Sequence, residues 1–238
     1  MEDEQKLNLL RLAINNASDF EEAKSYASFI IGDGNTITTC APRADNSEGR
    51  IKVVIEDGVY IVTKGLPPVP FGAVGVGQNL ENFDVMVSYH GNNWIVAKED
   101  LKGDELLLFS SYSHPEKTSS SYKRQIEALN DFDMESCTKR LRNVGIAFDF
   151  DADLYIPTVG QLAAMFLFRK ELNEALELIG GTSMKEGVYW SSSEGNARGS
   201  WVVNFGSGYV DSWHSKCDGG YVRPCRTCEL KGNSTHKG

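Results

Sequence analysis

Residues 189–226 read YWSSSEGNARGSWVVNFGSGYVDSWHSKCDGGYVRPCR, and two kinds of residue are interleaved in them. Trp201, Val203, Phe205, Val210 and Val222 make an apolar skeleton, with small, polar and turn-prone residues between them. In a strand, Trp201, Val203 and Phe205 fall on one face and Ser200, Val202 and Asn204 on the other. The alternation predicts one packed face and one face free for contact, so that a fixed scaffold presents a loosely constrained surface.

Working outward, 238 residues with 41% hydrophobic content suffice for one large domain or a domain with an extension. A formal net charge of -9 with no basic block excludes a nucleic-acid partner, because phosphate binding needs clustered Lys and Arg. No apolar run reaches membrane-spanning length, so no membrane insertion is expected. The start, MEDEQKLNLLRL, is acidic and amphipathic where an export signal is basic and then continuously apolar. Localisation stays open between a virion component assembled in the cytoplasm and an exported protein whose leader has been removed. Five cysteines, Cys40, Cys137, Cys217, Cys225 and Cys228, leave an odd one over, as in proteins folded under reducing conditions.

Residues 1–48 read as a helical extension and linker. Leu7, Leu10 and Ile14 share one helical stripe, and Ser18 with Glu21 forms a capping box. A boundary near Glu48 opens the main domain, residues 49–228, and the polar residues 229–238 are expected to be a disordered tail. Within the domain, IKVVIEDGVYIVT predicts a hairpin around Asp57-Gly58. Further strands are expected at residues 84–89, 93–98 and 105–109, with a polar surface loop at SHPEKTSSSYK. Asp133 is positioned to cap a helix bearing Met134, Cys137, Leu141 and Val144. Thr158 and Gln161 form a second capping box, opening a helix in one or two pieces that Gly180-Gly181 ends after Ile179. Short strands resume after Gly187. The fold class is therefore α+β, two helices between strands, with the first and last strands expected to pair.

Six motifs in order, ALNDFD (128–133), LYIPTVGQL (154–162), LNEALELIGGT (172–182), YWSSSE (189–194), SWVVNFGSG (200–208) and YVRPCR (221–226), resemble the C-type-lectin-like variable proteins of diversity-generating retroelements. GVYI (58–61) and WIVAKEDL (94–101) resemble the earlier strands of that family, so the likeness runs from about Ile51 to Arg226. It implies a C-type-lectin-like domain that binds a ligand and has no catalytic residues, metal or cofactor. It further implies a protein or glycan ligand on a cell surface, with assembly through the N-terminal helices. The positions that the family rewrites by adenine-directed mutagenesis would be Gly195, Asn196, Arg198, Gly199, Gly206, Ser207, Tyr209, Asp211, Ser212, His214, Ser215, Cys217, Asp218, Gly219 and Gly220. All are residue types reachable from an asparagine codon. Trp213 and Lys216 are not, and read as framework or as fixed contacts, with Trp213 counted in the ligand-binding surface. The family's closing motif usually has an apolar residue where Cys225 stands.

Other readings compete. The same fold carries fixed-specificity surface adhesins, and Gly, Ser and Asp are what any loop contains. It also carries formylglycine-generating oxidases, which need a reactive cysteine pair, and Cys225 with Cys228 is the only close one. His214, Cys217, Cys225 and Cys228 supply enough soft ligands for zinc, at a spacing unlike the common zinc motifs. Cys225 as a small core hydrophobe, with Cys228 in a frayed tail, is the structural reading. Asp149, Asp151 and Asp153 alternate like a cation loop but lack the donors that follow in one, and read as a solvated turn. His90 and His114 read as loop residues without partners, and Arg223 as a structural arginine with Glu194 as its candidate carboxylate.

Overall fold

The computed structural model describes residues 55–63, 68–74, 80, 83–101, 106–108, 125–196 and 198–228. The N-terminal helices and linker, the first arm of the 57–58 hairpin, the SHPEKTSSSYK loop with His114, and the tail lie outside the described residues, as do the domain boundaries.

Alternating apolar residues put strands β1 (Gly58–Val62), β2 (Val69–Pro70), β3 (Asp84–Tyr89) and β4 (Asn92–Val96) in the first half of the domain. The short β5 (Leu106–Leu107) follows, then helices α1 (Gln125–Leu129), α2 (Met134–Val144), α3 (Val159–Leu167) and α4 (Arg169–Leu178). Strands β6 (Val188–Glu194), β7 (Gly199–Asn204), β8 (Val210–Ser215), β9 (Gly219–Gly220) and β10 (Cys225–Thr227) complete the described chain. The content is α+β, with four helices among the described residues. No helix of the described residues is long and apolar enough to cross a membrane.

Local chemistry sets the helix ends. Asp133 accepts from the Ser136 backbone N–H at 3.0 Å, and α2 stops at Gly145 with φ 97°. Thr158 and Gln161 form a reciprocal capping box on α3. The helical run breaks at Phe168, so the predicted helix is two pieces, α3 and α4.

The first sheet has the order β10-β4-β3-β1-β2, the last has β6-β7-β8, and β5 pairs β9 between them. All strand pairs are antiparallel. The expected pairing of first and last strands falls on the hairpin arm that begins at Ile51, outside the described residues; within them β10 pairs with β4 and is separated from β1 by the β3–β4 hairpin. That hairpin turns on His90 and Gly91, both at positive φ, as the tightest hairpins require. His90 is not without a partner, since its backbone N–H donates to Asp57 Oδ1 at 2.6 Å and its ring stands 3.6 Å from Asp57 Oδ2.

The main core lies between the inner face of the first sheet, α3 and α4, and takes in Trp201, Val203 and Phe205 as predicted. The opposite face of β7 is not free. Val202 belongs to a second apolar cluster with Leu108, Leu141, Ile156, Trp190 and Val222, and Ser200 is fully buried. Helix α2 and the chain around Ile156 lie over this side of the last sheet, so β7 is covered on both faces.

Candidate functional site

With β7 enclosed, the surface shifts to its neighbour. β8 is the edge of the β6-β7-β8 sheet among the described residues, and none of its six positions is fully buried. Ser200 pairs with His214 and Val202 with Asp211, so Trp201 faces two residues, Ser212 and Trp213, across a β-bulge. A bulge bends the strand and re-aims its side chains. Trp213 ends 77% exposed and Tyr209, at the head of β8, 64% exposed.

Three turns frame this edge. Between β6 and β7, the Asn196 side chain accepts from the backbone N–H of Arg198 and Gly199, at 2.8 and 2.9 Å. Between β7 and β8, Asn204 accepts from Gly206 and Ser207, Ser207 Oγ accepts from Tyr209, and Phe205 drops into the core. After β8, Ser215 Oγ accepts from Cys217, and the His214 ring packs edge-on to Trp190 with Nε2 3.2 Å from Gly219 O. Asp211 accepts from the Trp213 N–H at 3.0 Å. These polar side chains occupy themselves with the backbone of their own loops, which gives short loops a defined shape.

The expected surface residues therefore divide. Arg198, Gly206, Ser207, Tyr209, Trp213 and Asp218 are exposed, and Asn196, Asp211, Ser212, His214, Ser215, Cys217 and Gly219 are half-buried. Gly199 and Gly220 are buried. A Cβ on Gly220 would stand 2.7 Å from Trp190 Nε1, and one on the half-buried Gly195 2.3 Å from Ser212 O, so neither position has room for a side chain.

Beneath the edge lies a charged frame. Lys216 is buried and its ammonium pairs with the equally buried Glu194. Arg223 is fully buried, and its Nε donates to Asp100 Oδ1 at 2.6 Å. Its guanidinium also donates to the carbonyls of Ala97, Lys98, Thr182 and Ser183. The expected Arg223–Glu194 pair is thus corrected: each has another partner. Asp100 also accepts from Tyr189 Oη at 3.0 Å, and burial, with the Asp100 charge second, pushes the Tyr189 phenol up. Lys216 proves to be frame and Trp213 surface. Asp100 and the Lys216–Glu194 pair were not found from sequence; the WIVAKED motif was the available signal for the first.

The four described cysteines are free and do not gather into one site. Cys225 lies in the main core, where burial pushes its thiol up. Cys228 sits on the other side of the same sheet with Sγ 3.5 Å from Met86 Sδ, so it is packed and not frayed, and burial raises its thiol too. Cys137 is pushed up to about 12 by burial first and the Asp131 charge second. No group of three or more His, Cys, Asp or Glu able to hold a metal occurs among the described residues. Asp149, Asp151 and Asp153 are exposed, and Arg142 ties down the carbonyls of Asp151, Ala152 and Leu154.

No family model matches the chain, and no curated protein matches it.

Proposed function

We propose that this chain is a non-enzymatic binding protein. Its C-type-lectin-like domain would present the β8 edge and its turns, in the manner of retroelement variable proteins, to a protein or glycan on a cell surface. One observation carries the reading: two large aromatic side chains, Tyr209 just before β8 and Trp213 on it, stand in solvent beside β7, which is buried in all but its last residue. Rigid aromatics give large contact area for little lost side-chain entropy and dominate many interfaces. Arg198 and Asp218 flank them as exposed charges for directional contacts. Cys225 is buried and Cys228 half-buried on opposite faces of one sheet, and burial raises both thiols, which weighs against the oxidase alternative, since the thiolate is the nucleophile.

Diversification on this surface concentrates at Arg198, Ser207, Tyr209 and Asp218, whose side chains reach solvent, and spares Gly195 and Gly220. The test is the coding segment for residues 189–226. A near-identical copy beside a reverse transcriptase gene, differing only at adenines in those codons, is expected; a lone segment without any copy leaves the fixed-specificity adhesin. Fluorescently labelled protein on a panel of intact bacterial cells supplies the binding readout, which Tyr209→Ala combined with Trp213→Ala is expected to abolish.

A further inference from the structure

Strand β8 meets β7 in two registers, one on each side of the bulge. Val203 pairs with Val210 and Val202 with Asp211 before it, and Ser200 pairs with His214 and Gly199 with Ser215 after it. Carried on without the bulge, the first pairing would set Ser200 opposite Trp213 and move every later side chain of β8 to the other face. Trp213 would then stand on the side where His214 now packs against Trp190, and His214 would take its place. The bulge therefore decides which aromatic of the edge meets solvent.

Each half of the strand needs its own anchor. Before the bulge the turn supplies one, since Gly208 N–H donates to Asn204 O at 2.7 Å, Asn204 N–H donates to Tyr209 O at 2.9 Å, and Val210 packs on the main core. After it, Asp211–Ser215 adds no member to either apolar core, and a short polar strand specifies its register weakly. Lys216, the next residue, is what is fixed there. Its N–H donates to Arg198 O at 3.0 Å, and its buried ammonium pairs with Glu194 at the end of β6, across the width of β7. Glu194 stands opposite Ser200, and Ser200 opposite His214. With the alternation carried one residue past β8, Lys216 falls on the Glu194 side in this register and on the opposite side in the other. Glu194 Oε2 is buried with no hydrogen-bond partner among the described residues, so a slip of one residue would leave this carboxylate buried and bare.

We propose that the Lys216–Glu194 pair is the register lock of the β8 edge, holding the bulge in place and so selecting Trp213 as the outward aromatic. Both act as positioning residues for Trp213. Fixing a register is the best-attested use of a buried polar or ionic group, which adds little stability over apolar packing. The bulge is seated on two glycines, because Ser212 O would stand 2.3 Å from a Cβ on Gly195 and 3.1 Å from one on Gly199. The lock concerns strand pairing and does not depend on what the edge binds.

The test uses the full chain with Glu194→Leu and Lys216→Met together, an apolar pair of similar size, and reads the pairing of β7 with β8 from cross-strand nuclear Overhauser contacts. Cooperative unfolding is expected to survive, with the Ser200–His214 contact replaced by Ser200–Trp213. Acrylamide quenching of tryptophan emission should fall with it, a change that reports Trp213 because Trp94, Trp190 and Trp201 are already buried. Retention of the Ser200–His214 contact, or its loss without a new pairing, overturns the proposal. Should that variant fail to fold, Glu194→Gln with Lys216→Gln, which removes the charges and keeps polar groups, is read against the same outcomes. Failure of this second variant to fold would make the pair a support of the whole domain and would equally overturn its register role.

Discussion

Trp201 and Trp213 lie on adjacent strands and face each other across one bulge, yet the first is 5% exposed and the second 77%. β7 has a core on either side, so every residue but its last is buried, whereas β8 has a neighbour on one edge only among the described residues. A tryptophan in a strand is therefore not by itself a core residue. Its place in the sheet decides whether it stabilises the fold or is left to meet another molecule.

The comparison can be broken from its buried side first. Arg223→Met should cost about 3–5 kcal/mol, because it leaves Asp100 buried without its cation and strips four carbonyls of their donor. Urea unfolding measures this, and a loss below about 1 kcal/mol would remove Arg223 from the frame. Trp201→Ala should cost a similar ~3–5 kcal/mol through transfer and cavity terms. Gly220→Ala is next, about 1–3 kcal/mol, because its Cβ meets an indole that Leu106 O already holds at 2.7 Å from Trp190 Nε1. Asp133→Ala should cost about 1 kcal/mol as a lost helix cap. The Ser136 N–H holds the Asp133 carboxyl below its usual value of 3.8, so its contribution is present above that pH and fades as pH falls through the lower folded value. Asp133→Asn should keep most of the cap and remove this acid dependence, seen as a shallower fall of the unfolding midpoint below about pH 4. Trp213→Ala should be the smallest, within about 0.5 kcal/mol in stability. A large loss of folding there would turn the exposed strand into frame.

Where local chemistry decides, the sequence was readable: the Asp133 cap, the Thr158–Gln161 box and the strand at residues 84–89 are all present. Trp201, Val203 and Phe205 do share a face. What stayed hidden depends on residues far along the chain. Val202 is covered by Leu141 and Ile156, some sixty and forty-six positions upstream, so period-two alternation carried no trace of the second cluster. Arg223 pairs with Asp100, 123 positions upstream, and Glu194 with Lys216, so nearness in sequence did not identify either partner. The candidate edge was legible as a region, but the bulge that turns Trp213 outward, and the contacts that bind Gly195 and Gly220 to glycine, are properties of register.

The Arg223 clamp closes mostly on main-chain oxygens, and such a grip is blind to the side chains of what it holds. Ala97, Lys98 and Ser183 are engaged through atoms that every amino acid possesses, and only Asp100 and the Thr182 hydroxyl are recognised by identity. The segments it fastens can drift in sequence without loosening the knot. A lineage exploring new partners through its outer edge would inherit that tolerance in the scaffold behind it.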